Sequence, residues 1–327
     1  MKPEDNSGRR SLASVLDEAN HGKSGRRTFP TGFPILDRAI GGGLRSRNLT
    51  LIGGAPGIGK TVTTLQWARN LAVDGASVVF VCYEHDEATL MSRLLHLELG
   101  ELPPDERAGE AGRHARKLLA QVSEGVMTLS EAVIKAPALD EPYRQIQKYA
   151  DRLWLVRASG STTTLDELSN LVSSDTDALF VDYLQKVPLR NDIPDERERI
   201  VQVSQGLKDL AMRENIAVVA VSAADKEGLE APRLRMHHLR GSSAVSYEAD
   251  VIIILNEKFG VVSRQQLTHD LTAAESHKHR LVFTIEKNRE GADMIDIEFI
   301  KQFDYLRVDP TGGRVAERLI DERIVKE

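Results

Sequence analysis

Gly54-Ala55-Pro56-Gly57-Ile58-Gly59-Lys60-Thr61 decides how this chain is read. The stretch fits GxxxxGK[ST], and its setting agrees: the apolar run Leu49–Ile52 leads in and the helical pattern Thr61–Ala72 leads out. Glycines at these places let the backbone wrap an anion with its N–H groups turned inward, and the following helix N-terminus adds a favourable dipole. A lysine placed as Lys60 reaches the terminal phosphates of a nucleotide, and the hydroxyl of Thr61 is suited to ligate Mg²⁺. We read Gly54 to Val62 as a nucleotide-binding stretch, with ATP and Mg²⁺ as its ligands.

Outward from this loop, short apolar runs alternate with longer helical patterns. The runs are Val78–Cys82, Leu153–Arg157, Ala178–Val181, Ile216–Val221, Val251–Leu255 and Leu281–Glu286. Near-continuous apolar strands separated by helices predict an α/β fold whose mostly parallel sheet is covered by helices on both faces. Residues from about 101 to 149, rich in Glu, Arg and Ala, read as a helical insertion between two strands. Residues 1–30 read as a flexible leader with one short helix near Ser11–Asn20, whose Leu12, Val15 and Leu16 form an apolar stripe behind a serine cap. Residues 31–327 form the main domain.

Two acidic residues end apolar strands. Asp182 closes Ala178–Val181, and Glu84 follows Val78–Tyr83. Parallel strand ends line one crevice, so both carboxylates are expected beside the phosphate loop, Asp182 in the Mg²⁺ shell and Glu84 orienting and deprotonating the attacking water. Beyond Leu281–Glu286, Lys287 and Arg289 project from one face and make a paired cation fork.

Composition narrows the classes further. Of 327 residues, 41% are hydrophobic and 28% charged, a globular balance. The net charge of −6 gives no chain-wide basic footprint, so any nucleic-acid contact must be local. The single cysteine, Cys82, lies in an apolar run and reads as a buried thiol of a reducing compartment. The N-terminus lacks a signal-peptide pattern and no window resembles a membrane span, so a cytoplasmic protein with no membrane partner is expected. The polar stretch Val262–Arg280, with His269, His277 and His279, reads as an exposed loop rather than a metal site.

Taken together, TGFPILD at Thr31–Asp37, the phosphate loop, Glu84, VDYLQ at Val181–Gln185 and KNREG at Lys287–Gly291 resemble, in order and spacing, the C-terminal RecA-fold motor domain of DnaB-type replicative helicases. The most specific pieces are Asp182–Gln185, the segment Leu239–Ser243 leading to Glu248-Ala249-Asp250, and the Lys287-x-Arg289 pair. The loop GGAPGIGKT is closer to RadA-like and KaiC-like members of the wider group. The resemblance covers Thr31 to Arg307. It implies a RecA-like P-loop NTPase core in which Lys60, Thr61, Asp182 and Glu84 act within one subunit. It further implies that Lys287 and Arg289 reach the γ-phosphate of the neighbouring subunit, Arg289 as the finger, in a homo-oligomeric ring, of six subunits in that family, or in a filament. The Ser11–Asn20 helix resembles the linker that docks on the adjacent motor domain. Single-stranded DNA contacts are implied for Val187–Arg199, with Arg190, Arg197 and Arg199, and for Arg240, Gly241 and Ser242 of Leu239–Ser243.

Three departures bear on function. Only about thirty residues precede Thr31, where the replicative family places a helical domain that binds primase. Ala223 stands after Ser222, where the family has a glutamine that senses the γ-phosphate and connects it to the DNA loop. Gly241 and Ser243 replace an acidic residue and a glycine of that loop. The leading reading is a ring-forming, Mg²⁺-dependent ATPase that engages single-stranded DNA as translocase or helicase. The alternative is a non-unwinding ATPase switch whose nucleotide state controls self-assembly or an unidentified protein partner.

Overall fold

The computed structural model of the chain describes residues 10–20, 25–190, 195–262 and 271–320. A short ribbon, β1 (Thr28–Phe29) against β2 (Leu44–Arg45), precedes the main sheet. The sheet's strands in chain order are β3 (Leu49–Gly54), β4 (Val78–Cys82), β5 (Leu153–Arg157), β6 (Ala178–Asp182), β7 (Ala217–Ala223), β8 (Val251–Glu257), β9 (Arg280–Asn288), β10 (Ile295–Gln302), β11 (Arg307–Val308) and β12 (Gly313–Arg314). In space the order is β11-β10-β9-β8-β3-β7-β6-β4-β5, with β12 also on β10. The strands from β8 across to β5 are mutually parallel, and the phosphate-loop strand β3 sits between β7 and β8.

Strand alternation distributes the apolar residues over two cores. Ile52, Phe80, Phe180, Val219 and Ile253 face the phosphate-loop helix (Lys60–Val73) with its buried Leu65 and Trp67. Their neighbours Leu51, Val79, Leu179, Val218 and Ile252 face the helix Glu196–Glu214 through Val203, Leu207 and Leu210. Burial on both faces is why these strands read as continuous apolar runs rather than alternating ones.

One strand departs from the expected parallel series. Leu281–Glu286 lies within β9, which runs antiparallel to β8. β8 is followed by the short helix Lys258–Val261, and the helix Leu271–His277 leads into β9, which starts where β8 ends. His277 is buried and faces Glu317 at 3.6 Å rather than lying in an exposed loop; His269 lies outside the described residues. At the other edge β5 carries an exposed Trp154.

The segment 101–149 carries the helices Pro104–Ala108, Glu110–Ser123, Leu129–Lys135 and Asp140–Tyr149 around a small core of Leu95, Leu99, Leu118, Leu119 and Leu139. Tyr305, from the turn after β10, completes that core between the guanidinium groups of Arg107 and Arg116, 5.5 and 5.0 Å from its ring. The following strand β11 is tied to the phosphate-loop helix: Gln66 Nε2 donates to Val308 O at 2.9 Å, and Val308 N donates to Gln66 Oε1 at 2.8 Å. In the leader, the helix Leu12–Asn20 has Ser11 Oγ accepting from Ser14 N at 3.2 Å, and no residue of this helix is buried. Among the described residues no helix is long and apolar enough to cross a membrane.

Candidate active site

The loop Gly54–Thr61 turns at the C-terminal end of β3, with Gly57 and Gly59 at φ +76° and +99°, backbone that favours residues without a Cβ. Gly59 has a second constraint, since a Cβ there would meet the Phe303 ring at 2.5 Å. Lys60 folds back along the loop, its Nζ donating to Gly54 O at 2.8 Å and Ala55 O at 2.9 Å. Burial lowers the Lys60 pKa, against which Asp182 and Glu84 act to raise it.

Parallel pairing brings the expected carboxylates to this loop. Cys82 and Asp182 are register partners at the ends of β4 and β6, and Glu84 and Asp182 line the same cavity of about 520 Å³ as Lys60 and Thr61. Asp182 is buried at 2% exposure, whereas Glu84 is exposed at the rim. Burial pushes the Asp182 carboxyl up to about 6, with the Thr61 hydroxyl pulling it down and the nearby Glu84 pushing it up. Among the described residues Asp182 Oδ2 has no hydrogen-bond partner. A buried, unpartnered carboxylate oxygen next to a hydroxyl is a hard-oxygen donor set suited to Mg²⁺, so the residues present fit the ion. Cys82 is buried, and burial first, then Asp182, raises its thiol to about 11, which leaves it unreactive.

Further groups enter the cavity that sequence reasoning missed. Arg93, from the helix Glu87–Glu101, approaches His85 Nε2 with its Nη2 at 2.9 Å. A guanidinium only donates, so Nε2 accepts; burial and then the adjacent Arg93 lower the His85 pKa and favour that neutral ring. Phe303 and Leu306 close another side of the cavity. In the sequence Arg93 is only a single cation nine positions after Glu84, which carries no motif.

Lys287 and Arg289 stand elsewhere. Because β9 is antiparallel, Asn288 pairs with Val251 at the start of β8, the edge of the sheet opposite the phosphate loop. The length of β3, five steps of about 3.3 Å or roughly 16 Å, lies between the two edges. There Lys287 Nζ donates to Ser246 O at 2.5 Å, and Arg289 donates to Tyr247 O and to Asp250 Oδ1, the latter at 3.3 Å. Both cations converge on the last turn of the helix Ser242–Glu248, so the expected fork is formed. Asp250 anchors it, its Oδ2 accepting Leu49 N at 2.8 Å and Lys208 Nζ at 2.6 Å.

The expected strand-binding residues are partly gathered. Arg197, Arg240 and Gly241 line one groove of about 600 Å³ with Glu196, Asp225 and Lys226. Arg190 instead pairs with Asp166 at 2.7 Å, and Arg199 is half-buried outside that groove. Residues 191–194 lie outside the described ones, as does the side chain of Ser242. Gly241 has φ +71°, and a Cβ there would meet Ile200 Cγ2 at 2.5 Å.

A phosphate loop on the central strand of a mostly parallel sheet, with a buried acid at a neighbouring strand end, defines a P-loop ATPase domain of the RecA-like type. More particularly, the chain belongs to the DnaB-like helicase C-terminal domain family, whose model matches residues 28–307. It is similar to the replicative DNA helicase DnaB of Treponema pallidum, 27% identical over 248 residues, covering 75% of this chain and 51% of that protein. A DnaB of Geobacillus stearothermophilus is 24% identical, with 88% of this chain and 58% of that protein covered. The chain thus spans about half the length of these curated relatives. The DNA repair protein RadA of Campylobacter jejuni matches only locally, 44% identical over 70 residues, covering 21% of this chain and 16% of that protein. Among solved structures, a DnaB-like replicative helicase described with its interactions with primase superposes with a TM-score of 0.64 at 18% identity, covering 91% of this chain and 65% of that one, which supports the fold.

Proposed function

We propose that this chain hydrolyses ATP with Mg²⁺ at a site completed by a neighbouring copy, and that it uses turnover to move along single-stranded DNA. The observation that carries this reading is the division of the charged groups between two sheet edges. Lys60, Thr61, Glu84, Arg93 and Asp182 gather at one edge, while Lys287 and Arg289 gather at the other, about 16 Å away and out of reach of their own phosphate loop. A second subunit turned head to tail supplies what each lacks, and repetition of that contact gives a ring or a filament.

In this mechanism the loop amides and Lys60 hold the phosphate chain, and Thr61 and Asp182 hold Mg²⁺. When bound, the ion neutralises charge on the β- and γ-phosphates. Glu84, exposed at the cavity rim, orients and deprotonates the attacking water. Arg93, released from His85, faces the transferred group from the same subunit, and Arg289 from the neighbour meets the charge that develops in the transition state. The leader helix supports assembly: Leu12 and Leu16 are 74% and 56% exposed, an apolar stripe suited to the next subunit. In the absence of nucleotide Arg240 lies with Arg197 in the groove proposed for the strand, so local cations are present there despite the acidic whole.

Steady-state hydrolysis with and without a long single-stranded oligonucleotide at low salt tests this reading, with Lys60→Ala as the control. The expected result is Mg²⁺-dependent turnover that rises with the strand and vanishes in the variant. Turnover indifferent to the strand moves the reading to the protein-directed switch, which the helicase relatives do not favour.

A further inference from the structure

The nucleotide cavity and the basic groove are neighbours, and Arg240 lines both. Its backbone is fixed. Arg240 N donates to Ala223 O at 3.1 Å, Leu239 forms a bridge with Ala224, and buried Leu239 packs where a Cβ on Gly53 would strike it at 2.5 Å. Its side chain is held loosely: Nε reaches Ala224 O at 3.3 Å, Nη1 lies 3.5 Å from Glu196 Oε1, and the side chain is 48% exposed. An exposed ion pair at that separation holds a guanidinium weakly, whereas a phosphate oxygen in a half-enclosed cavity takes a stronger charge-assisted bond. The end of β7 offers no competing group. Ala223 and Ala224 have no polar side chain, and Gln185 is committed beneath them, with Nε2 donating to Ser222 Oγ at 2.9 Å and Oε1 accepting from Ala223 N at 3.2 Å.

We propose that Arg240 reads the terminal phosphate of the bound nucleotide and passes its presence to the groove, in the post left vacant by Ala223. With a triphosphate bound, the guanidinium turns from Glu196 into the nucleotide cavity. Glu196 heads the helix Glu196–Glu214, whose Ile200 lies against Gly241, so loss of the pair changes both walls of the groove together. The groups facing Arg240 across the groove are Glu196, Arg197, Asp225 and Lys226. Withdrawal of its charge from Glu196 therefore alters the local field that a strand phosphate meets. The link to a strand rests on the function proposed above; the phosphate-reading role does not.

The test uses the full chain with Mg²⁺ and a fluorescent nucleotide displaced by ADP or by a non-hydrolysable ATP analogue, together with oligo-dT binding followed by anisotropy. Arg240→Ala is expected to lose about tenfold in affinity for the triphosphate, the scale of one charge-assisted bond, while ADP affinity stays within about twofold. In the same variant the difference in oligo-dT affinity between the triphosphate and ADP states collapses. Adding Ala223→Gln to Arg240→Ala restores part of the triphosphate preference, which a merely structural role would not do. An Arg240→Ala protein that keeps its triphosphate preference, or weakens for both nucleotides alike, overturns the proposal. If the wild-type chain binds no oligo-dT in any nucleotide state, the strand reading fails while the nucleotide measurement still decides the role of Arg240.

Discussion

Where the parallel strands end, Asp182 is sealed from solvent and Lys60 and Thr61 are half-buried around it; where they begin, Lys287 and Arg289 rest on backbone carbonyls of the helix Ser242–Glu248, with the Arg289 side chain 46% exposed. The first edge holds its charges in a desolvated environment that shifts their pKa values, and the cost of burying them is met by the ligand they await. The second edge leaves the Arg289 guanidinium half in water beside acceptors that are easily exchanged, while Lys287 is half-buried and burial lowers its pKa. One half of the proposed site is pre-organised by the fold, whereas the other half lies at the opposite strand ends, out of reach of its own phosphate loop.

The largest expected effect separates these two edges. Arg289→Ala should bind nucleotide normally and lose about 10³–10⁵ in turnover, the contribution of an arginine finger. Lys60→Ala fails for the opposite reason, having an intact fork and a broken phosphate loop. Mixed in equal amounts, the two inactive proteins should recover part of the activity, measured as steady-state phosphate release. No recovery would break the comparison, because it would mean that the two edges do not meet across a subunit boundary.

Next in size is Arg93→Ala. Removal of a positioned donor to developing negative charge costs about 10²–10³ in turnover. Single-turnover hydrolysis checks this, and mixing with Lys60→Ala should not rescue it, since Arg93 belongs to the same edge as the phosphate loop.

Proton linkage gives a smaller but sharper difference. The Asp182 carboxyl is raised to about 6, so it must release a proton when Mg²⁺ binds. Apparent Mg²⁺ affinity should fall about tenfold per pH unit below 6, measured by titration calorimetry with ADP present. Without ligand the sign for stability is reversed. A raised carboxylate pKa means that the folded chain binds more protons than the unfolded one between the usual carboxylate range and about 6, so stability falls as pH rises through that window. Asp182→Asn should therefore melt a few degrees higher at pH 8 while losing Mg²⁺-dependent turnover. Between the edges, Gly241→Ala should cost about 1–3 kcal/mol in urea denaturation, because the added Cβ meets Ile200 and the backbone is left-handed.

The chemistry at the strand ends was legible in the sequence because a phosphate loop is local: its glycines, lysine and threonine are consecutive, and the strand before it ends where the turn begins. Asp182 and Glu84 were legible for the same reason, each being the polar residue that stops an apolar run. Arg93 was not, since its place depends on how the helix Glu87–Glu101 packs against the phosphate-loop helix and β5, which no spacing records. Nor was Phe303, which reaches Gly59 from the far end of the chain. The direction of β9 was not legible, because burial on both faces gives parallel and antiparallel strands the same composition. Lys287 and Arg289 were visible as a pair, but their distance from their own phosphate loop follows from that direction.

The position of β3 between β7 and β8 also sets how this protein is made. Its register partners are residues 218–223 and 251–255, so β3 has no neighbouring strand until most of the chain has left the ribosome. The clasp between Gln66 and Val308 joins residues 242 apart in sequence and is available later still. At roughly 5–20 residues per second of synthesis, the apolar Leu49–Ile52 stays unpaired for about ten seconds or more. The motif that announces the fold is thus among the last parts to find its partners.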